Sequence, residues 1–198
     1  WCGFPRPAFL STEDEHFDSF AAMYYEELEK LYGKAKYYSM DPFHEGGNTE
    51  GVDLAKAGTS IMGAMKKANP EAVWVMQAWQ ANPREAMVNT LDSGDLLVLD
   101  LYSEKLPQWG DPESMWYREK GFGKHDWLYC MLLNFGGNVG LHGRMEQLVN
   151  GYYNACAHIN GKTLRGVGAT PEGIENNPMM FELLYELPWR EERFSPDI

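Results

Sequence analysis

Basic residues are scarce in this chain of 198: Lys and Arg number 17 against 29 Asp and Glu, a formal net charge of −12. A surface that binds nucleic acid needs clustered cations to replace the counterions of the phosphates, so the balance argues against that partner and for a neutral ligand. Cysteine is scarcer. Cys2, Cys130 and Cys156 lie far apart with no CxxC pair, which suggests neither a zinc site nor a dense disulfide scaffold; one bridge would leave one thiol over. No apolar run approaches the roughly 20 residues of a membrane span, and Trp1 is followed by no basic segment with an apolar stretch behind it, so a soluble chain is expected. The absence of an Asn-x-Ser/Thr sequon disfavours a glycosylated eukaryotic secretory product. Nothing repeats, and no Gly/Ser linker divides the chain, so it reads as one unit.

Several familiar reaction motifs are also missing. There is no GxSxG elbow and no Walker loop. His44-Glu45 invites a zinc-protease reading, but Asn48 stands where HExxH needs its second histidine. GVGATP at 166–171 opens like a dinucleotide fingerprint, yet Pro171 occupies the third glycine position, and GFGKHD at 121–126 fails in the same way. Neither a metal nor a cofactor is expected.

What is present is an alternation of apolar runs with helical patterns. Residues 1–10 read as irregular chain. A helix then begins, capped by Ser11 or Thr12, with Phe17, Phe20, Ala21, Tyr24, Leu28 and Leu31 at helical spacing and Gly33 closing it. Strands are expected at 35–40, 72–79, 95–101, 127–135 and 164–169, with helices at about 51–68, 83–92, 143–159 and 178–187. The connection at 102–126 is unclear. The strands are almost continuously apolar, which fits parallel strands covered on both faces. The class is therefore α/β. Five strands fall short of the eight of a closed βα-barrel, so either the sheet is open or the chain is a piece of one.

Two glutamates stand out in this frame. Glu45 follows the run at 35–40 and Glu172 the run at 164–169, so each falls in a loop beyond the carboxyl end of a strand, the face on which βα-barrels carry their chemistry. Glycoside cleavage needs two such groups: one protonates the leaving oxygen, and the other attacks the anomeric carbon or activates water. Trp79, Asp100 and Asn134 also end strands. Aromatics make up 14% of the residues, which suits sugar stacking and an aromatic core equally.

The segments DPFHE at 41–45, EAVWVMQAW at 71–79, LLVLDL at 96–101, YCMLLNFGGNVGLHG at 129–143, GVGATPEGIENNP at 166–178 and YELPWR at 185–190 resemble, in order and nearly end to end, the alpha-N-acetylglucosaminidases. CMLLNFGGN and TPEGIENN carry the specificity. The resemblance implies a (β/α)8 TIM-barrel type fold with about strands 4 to 8 in this chain, residues 1–198 being a partial catalytic barrel domain with no second domain. An N-terminal barrel half and a C-terminal helical domain would lie in the parent. It further implies a retaining exo-glycosidase acting on glycans with terminal alpha-linked N-acetylglucosamine, Glu45 as general acid/base and Glu172 as nucleophile. Trp79 would line the sugar pocket beside Asn134, with Gln77 and His44 as further substrate-binding candidates; some members carry Asn at the position of His44. The implied address is secreted or periplasmic in a bacterium and lysosomal in an animal. Two other readings remain open: a βα-barrel glycosidase of different sugar specificity, and a non-catalytic glycan-binding module that stacks sugar on Trp79 and Trp127.

Overall fold

The computed structural model describes residues 3, 10–45, 47–173, 175–193 and 195. Its elements run α1 (Phe17–Tyr32), β1 (Tyr37–Ser39), α2 (Leu54–Ala68), β2 (Val73–Ala78), α3 (Glu85–Val88), β3 (Leu96–Asp100), β4 (Asp126–Met131), α4 (Met145–Ala157), β5 (Leu164–Ala169) and α5 (Pro178–Glu186). The five strands form one sheet in the order β1-β2-β3-β4-β5, every pair parallel. Sequential order and a common direction put all carboxyl ends on one rim.

Strand pleating divides the sheet into two unlike faces. Trp74, Met76 and Ala78 of β2, Leu96 and Val98 of β3, and Trp127, Tyr129 and Met131 of β4 are buried in one core with Ile61 and Met65 of α2, Leu148 and Val149 of α4, and Met180 and Leu184 of α5. Burying a Met or Leu of this kind contributes about 1.5–3 kcal/mol. On the opposite face Val73, Val75, Gln77, Leu97, Leu99 and Leu128 are only half-buried. The expectation of two covered faces is thus corrected: the second face is apolar because a closing barrel would turn it inward. A doubly wound sheet would reverse its strand order and carry helices on both sides. Here the order never reverses, which is the winding of a barrel wall.

Local chemistry fixes the helix limits. Asp53 Oδ1 accepts the Lys56 amide at 3.1 Å to start α2, and Asn177 accepts from Met179 ahead of α5, where Pro178 occupies the first turn. Gly58 lets α2 and α3 approach closely, since a Cβ there would lie 2.5 Å from the Met87 carbonyl. Three expected boundaries move. The first helix begins at Phe17, because Ser11 Oγ and Asp14 Oδ1 take the amides of Glu13 and His16 and hold the preceding residues in turns. The helix at 83–92 shrinks to one turn, with Thr90 Oγ1 donating to the Met87 carbonyl as the chain leaves it. The fourth strand stops at Met131 rather than 135, where Leu133 turns to a φ of 64°. Gly33 closes α1 as expected, its N–H on the Glu29 carbonyl. Cys130 and Cys156 are free thiols; Cys2, like most of the irregular opening stretch, lies outside the described residues.

Candidate active site

The first glutamate loop grows from the end of β1. Trp74 Nε1 donates to the Met40 carbonyl at 2.7 Å, and Asp41 Oδ1 accepts the Gln77 amide at 2.8 Å and Asn82 Nδ2 at 2.9 Å. Burial raises the Asp41 pKa while these two hydrogen bonds oppose the shift. Beyond this anchor Phe43 and Glu45 both adopt left-handed backbone, φ 62° and 46°, and the Gly47 amide reaches back to His44 O at 3.2 Å. Residues with a side chain seldom sit in that region, and such strain collects where function demands a shape. The loop lifts Glu45 into solvent. His44 is half-buried, and its buried Nε2 has no hydrogen-bond partner among the described residues.

The second loop leaves β5. Thr170 N–H donates to Met131 O at 3.0 Å and its hydroxyl to Leu101 O at 3.3 Å, which ties the strand end to its neighbours. Two residues on, the Glu172 amide donates to Asn134 Oδ1 at 2.8 Å, and Asn134 Nδ2 donates to Asn176 Oδ1 at 3.0 Å. Gly173 leaves room for this contact, for a Cβ there would lie 2.7 Å from Asn134 Nδ2. Glu172 itself is exposed. Asn134, named from the sequence as a neighbour of the pocket, is therefore joined directly to the Glu172 loop.

Between the two loops Gln77 lies on the half-open face near the end of β2. Trp79 is 7% exposed and sits within a cluster of rings: Trp116 at 4.5 Å, Phe135 at 5.2 Å and Tyr102 at 6.3 Å between centroids. It supports the aromatic floor more than it faces solvent. Phe135, 36% exposed, is the ring with the freer face. Trp127 is wholly buried on the helix side of β4 and offers no stacking surface.

Two buried carboxyls lie behind this rim. Asp100, a strand end in the sequence, turns its side chain to the helix-covered face, where Oδ2 accepts Ser103 Oγ at 2.8 Å and the Gln108 amide at 3.3 Å. Glu104, in the connection the sequence left unclear, accepts the amides of Leu132 at 3.0 Å and Leu133 at 2.9 Å on Oε1. Burial pushes both pKa values up to about 7 against those hydrogen bonds. Asp41 and Glu104 were missed as site-shaping residues. Asp41 opens the DPFHE segment and so carried a signal, whereas no periodicity marks Glu104. Among the described residues no three His, Cys, Asp or Glu are grouped so as to hold a metal.

Residues 1–191 match the family model described as the alpha-N-acetylglucosaminidase (NAGLU) tim-barrel domain. The chain belongs to the alpha-N-acetylglucosaminidase family. Human alpha-N-acetylglucosaminidase is 34% identical over 202 aligned residues, covering 96% of this chain and 26% of its own. Among solved structures, the family 89 glycoside hydrolase of Clostridium perfringens in complex with PUGNAc superposes with a TM-score of 0.83 at 34% identity, over 98% of this chain and 22% of that one. A form of the Clostridium perfringens enzyme with two glutamates changed to glutamine, in complex with its substrate GlcNAc-alpha-1,4-galactose, gives 0.82 with the same identity and coverage. The chain thus spans about a quarter of the length of these family members, and its five parallel strands are part of a TIM-barrel wall.

Proposed function

We propose that the protein, at its full natural length, is a retaining exo-glycosidase that removes terminal alpha-linked N-acetylglucosamine from glycans, with Glu45 as acid/base and Glu172 as nucleophile. Residues 1–198 then form part of one catalytic barrel, and the rest of the barrel wall and the helical domain lie elsewhere in the protein. The observation that carries the reading is the shared rim: the loops of both glutamates leave the carboxyl ends of parallel strands at opposite edges of one sheet. Family membership supports the choice of sugar, since a Clostridium perfringens relative holds GlcNAc-alpha-1,4-galactose as its substrate.

The stereochemistry of an alpha-linked N-acetylglucosaminide favours an enzyme nucleophile. Its leaving oxygen and 2-acetamido group lie on the same side of the ring, so the acetamide cannot reach the back of the anomeric carbon without a strained trans-fused ring. Glu172 attacks that carbon, the bond to the leaving oxygen breaks, and Glu45 gives the oxygen its proton. Glu45 then takes a proton from water, which opens the glycosyl-enzyme ester and frees Glu172. Gln77 and His44, near the Glu45 loop, and Asn134, near the Glu172 loop, are the polar groups proposed to meet the sugar, above a floor that includes Trp79. Glu172→Gln in the full-length protein should abolish turnover of an aryl alpha-N-acetylglucosaminide, and undiminished turnover would remove the assignment.

A further inference from the structure

Glu104 is 4% exposed and lies beyond the end of β3, yet its carboxylate is spent on the end of β4. Oε1 accepts both the Leu132 amide at 3.0 Å and the Leu133 amide at 2.9 Å, and Oε2 is a second, longer acceptor for the Leu132 amide at 3.3 Å. Leu132 and Leu133 are themselves buried, at 2% and 4% exposure, so water is a poor substitute acceptor. Leu133 carries a φ of 64°, unfavourable for a leucine, and the Asn134 amide closes the turn on Leu132 O at 2.8 Å. A side chain that leaves this turn is aimed by it. Asn134, 6% exposed, uses both ends of its amide on the next loop: Oδ1 takes the Glu172 N–H at 2.8 Å, and Nδ2 gives to Asn176 Oδ1 at 3.0 Å and Glu175 O at 3.4 Å.

We propose that Glu104 is a positioning residue for Glu172, acting through the left-handed turn at Leu133 and the side chain of Asn134. The inference rests on the reading of Glu172 as nucleophile. Glu104 touches neither substrate nor reacting atoms; it holds a strained turn in the one form that hands Asn134 to the Glu172 amide. An apolar side chain could fill the same space but would leave two buried amides without an acceptor, and the turn would relax toward ordinary leucine backbone. Near-attack geometry is lost with small displacements, a misplacement of about 1 Å costing on the order of a hundredfold in rate.

The test uses the full-length protein and an aryl alpha-N-acetylglucosaminide, with kcat, KM and thermal midpoint measured for each variant. Glu104→Leu should lower kcat roughly a hundredfold with KM little changed. Glu104→Gln should stay within about threefold of the parent, because its amide oxygen can take the place of Oε1 and serve both N–H groups, losing only the longer 3.3 Å contact that Oε2 makes to the Leu132 amide. Glu104→Leu combined with Asn134→Ala should be no worse than the more damaging single change, since both cut one relay. A lowered thermal midpoint with undiminished kcat in Glu104→Leu would reduce Glu104 to a packing role. Equal damage from Gln and Leu would make its charge the operative feature, and fully additive losses would break the link to Asn134; each overturns the proposal. Should the Leu variant not fold, Glu104→Asp replaces it, its carboxylate one methylene too short for the Leu133 amide; loss in Asp with retention in Gln supports the relay, and the reverse overturns it. Glu172→Gln is measured alongside: its retention of activity removes the nucleophile assignment, whereas its loss beside an active Glu104→Leu removes only the positioning role.

Discussion

Asp41 Oδ1 accepts the backbone amide of Gln77 at 2.8 Å, joining the start of the Glu45 loop to the end of the neighbouring strand. Asn134 makes the matching connection to the Glu172 amide at the far side of the sheet. Each glutamate loop is therefore fastened by an Asp or Asn side chain, with Phe43 of the Glu45 loop also packed against the core, and each fastening hydrogen bond joins neighbouring strand ends. The Asp41 carboxylate also holds Asn82, which is 2% exposed. Asp41→Ala strips an acceptor from both groups, and a buried donor left alone costs about 1–3 kcal/mol. The expected result is a lower thermal midpoint together with a loss of turnover larger than the stability change explains, measured at a temperature where the variant is still folded.

The two glutamates should fail differently. A general acid matters in proportion to how badly the leaving group needs a proton, so Glu45→Ala should depress cleavage of natural disaccharides by about 10²–10⁴-fold and that of activated aryl glycosides far less. Added azide, a small nucleophile that needs no base, should then speed release of the sugar from the glycosyl-enzyme and give a glycosyl azide product. Equal losses on good and poor leaving groups would take the acid/base role from Glu45. In a crystal structure of the complete pocket the Glu45 and Glu172 carboxyls should stand about 5–5.5 Å apart, the spacing of a retaining mechanism.

The five strands were legible because β-branched and aromatic runs separated by helical patterns leave little choice of class, and the observed ranges fall within or beside the expected ones. The uncovered second face was not legible, since a strand lining a barrel interior reads the same as one beneath a second helix layer. Placement of Glu45 and Glu172 after strand ends followed from order along the chain alone. What the sequence hid were the side chains that shape those loops. Glu104 meets Leu132 from 28 residues away, and no pattern in 102–126 announces it. The shortened β4 was hidden for a related reason: WLYCMLL at 127–133 gives no break in its apolar run, and the turn at Leu133 is hydrogen-bonded to that distant carboxylate.

Asp100 and Glu104 give the fold a pH dependence of definite sign. Burial lifts both carboxyls to about 7 in the folded state, whereas unfolded carboxyls titrate near about 4. Between those values the folded chain binds more protons than the unfolded one, so stability falls as pH rises through that window and levels off above it. The thermal midpoint should be several degrees higher at pH 5 than at pH 8, on the order of a few kcal/mol. Asp100→Asn, which cannot ionise, should flatten the profile. An unchanged slope in that variant would remove Asp100 from the account.

Trp79 and Phe135 separate support from contact. Trp79 is 7% exposed and packs against Trp116, Phe135 and Tyr102, so Trp79→Ala opens a cavity beneath the aromatic floor and should cost about 3–5 kcal/mol of stability. Phe135, 36% exposed, has a freer face and less to lose on truncation. If that face stacks on the sugar, Phe135→Ala should raise KM roughly three- to tenfold, the equivalent of about 0.5–1.5 kcal/mol of ring contact, with little change in thermal midpoint. Thermal unfolding and steady-state kinetics on both variants decide the matter: a KM effect confined to Trp79→Ala at an unchanged midpoint would return the stacking role to Trp79.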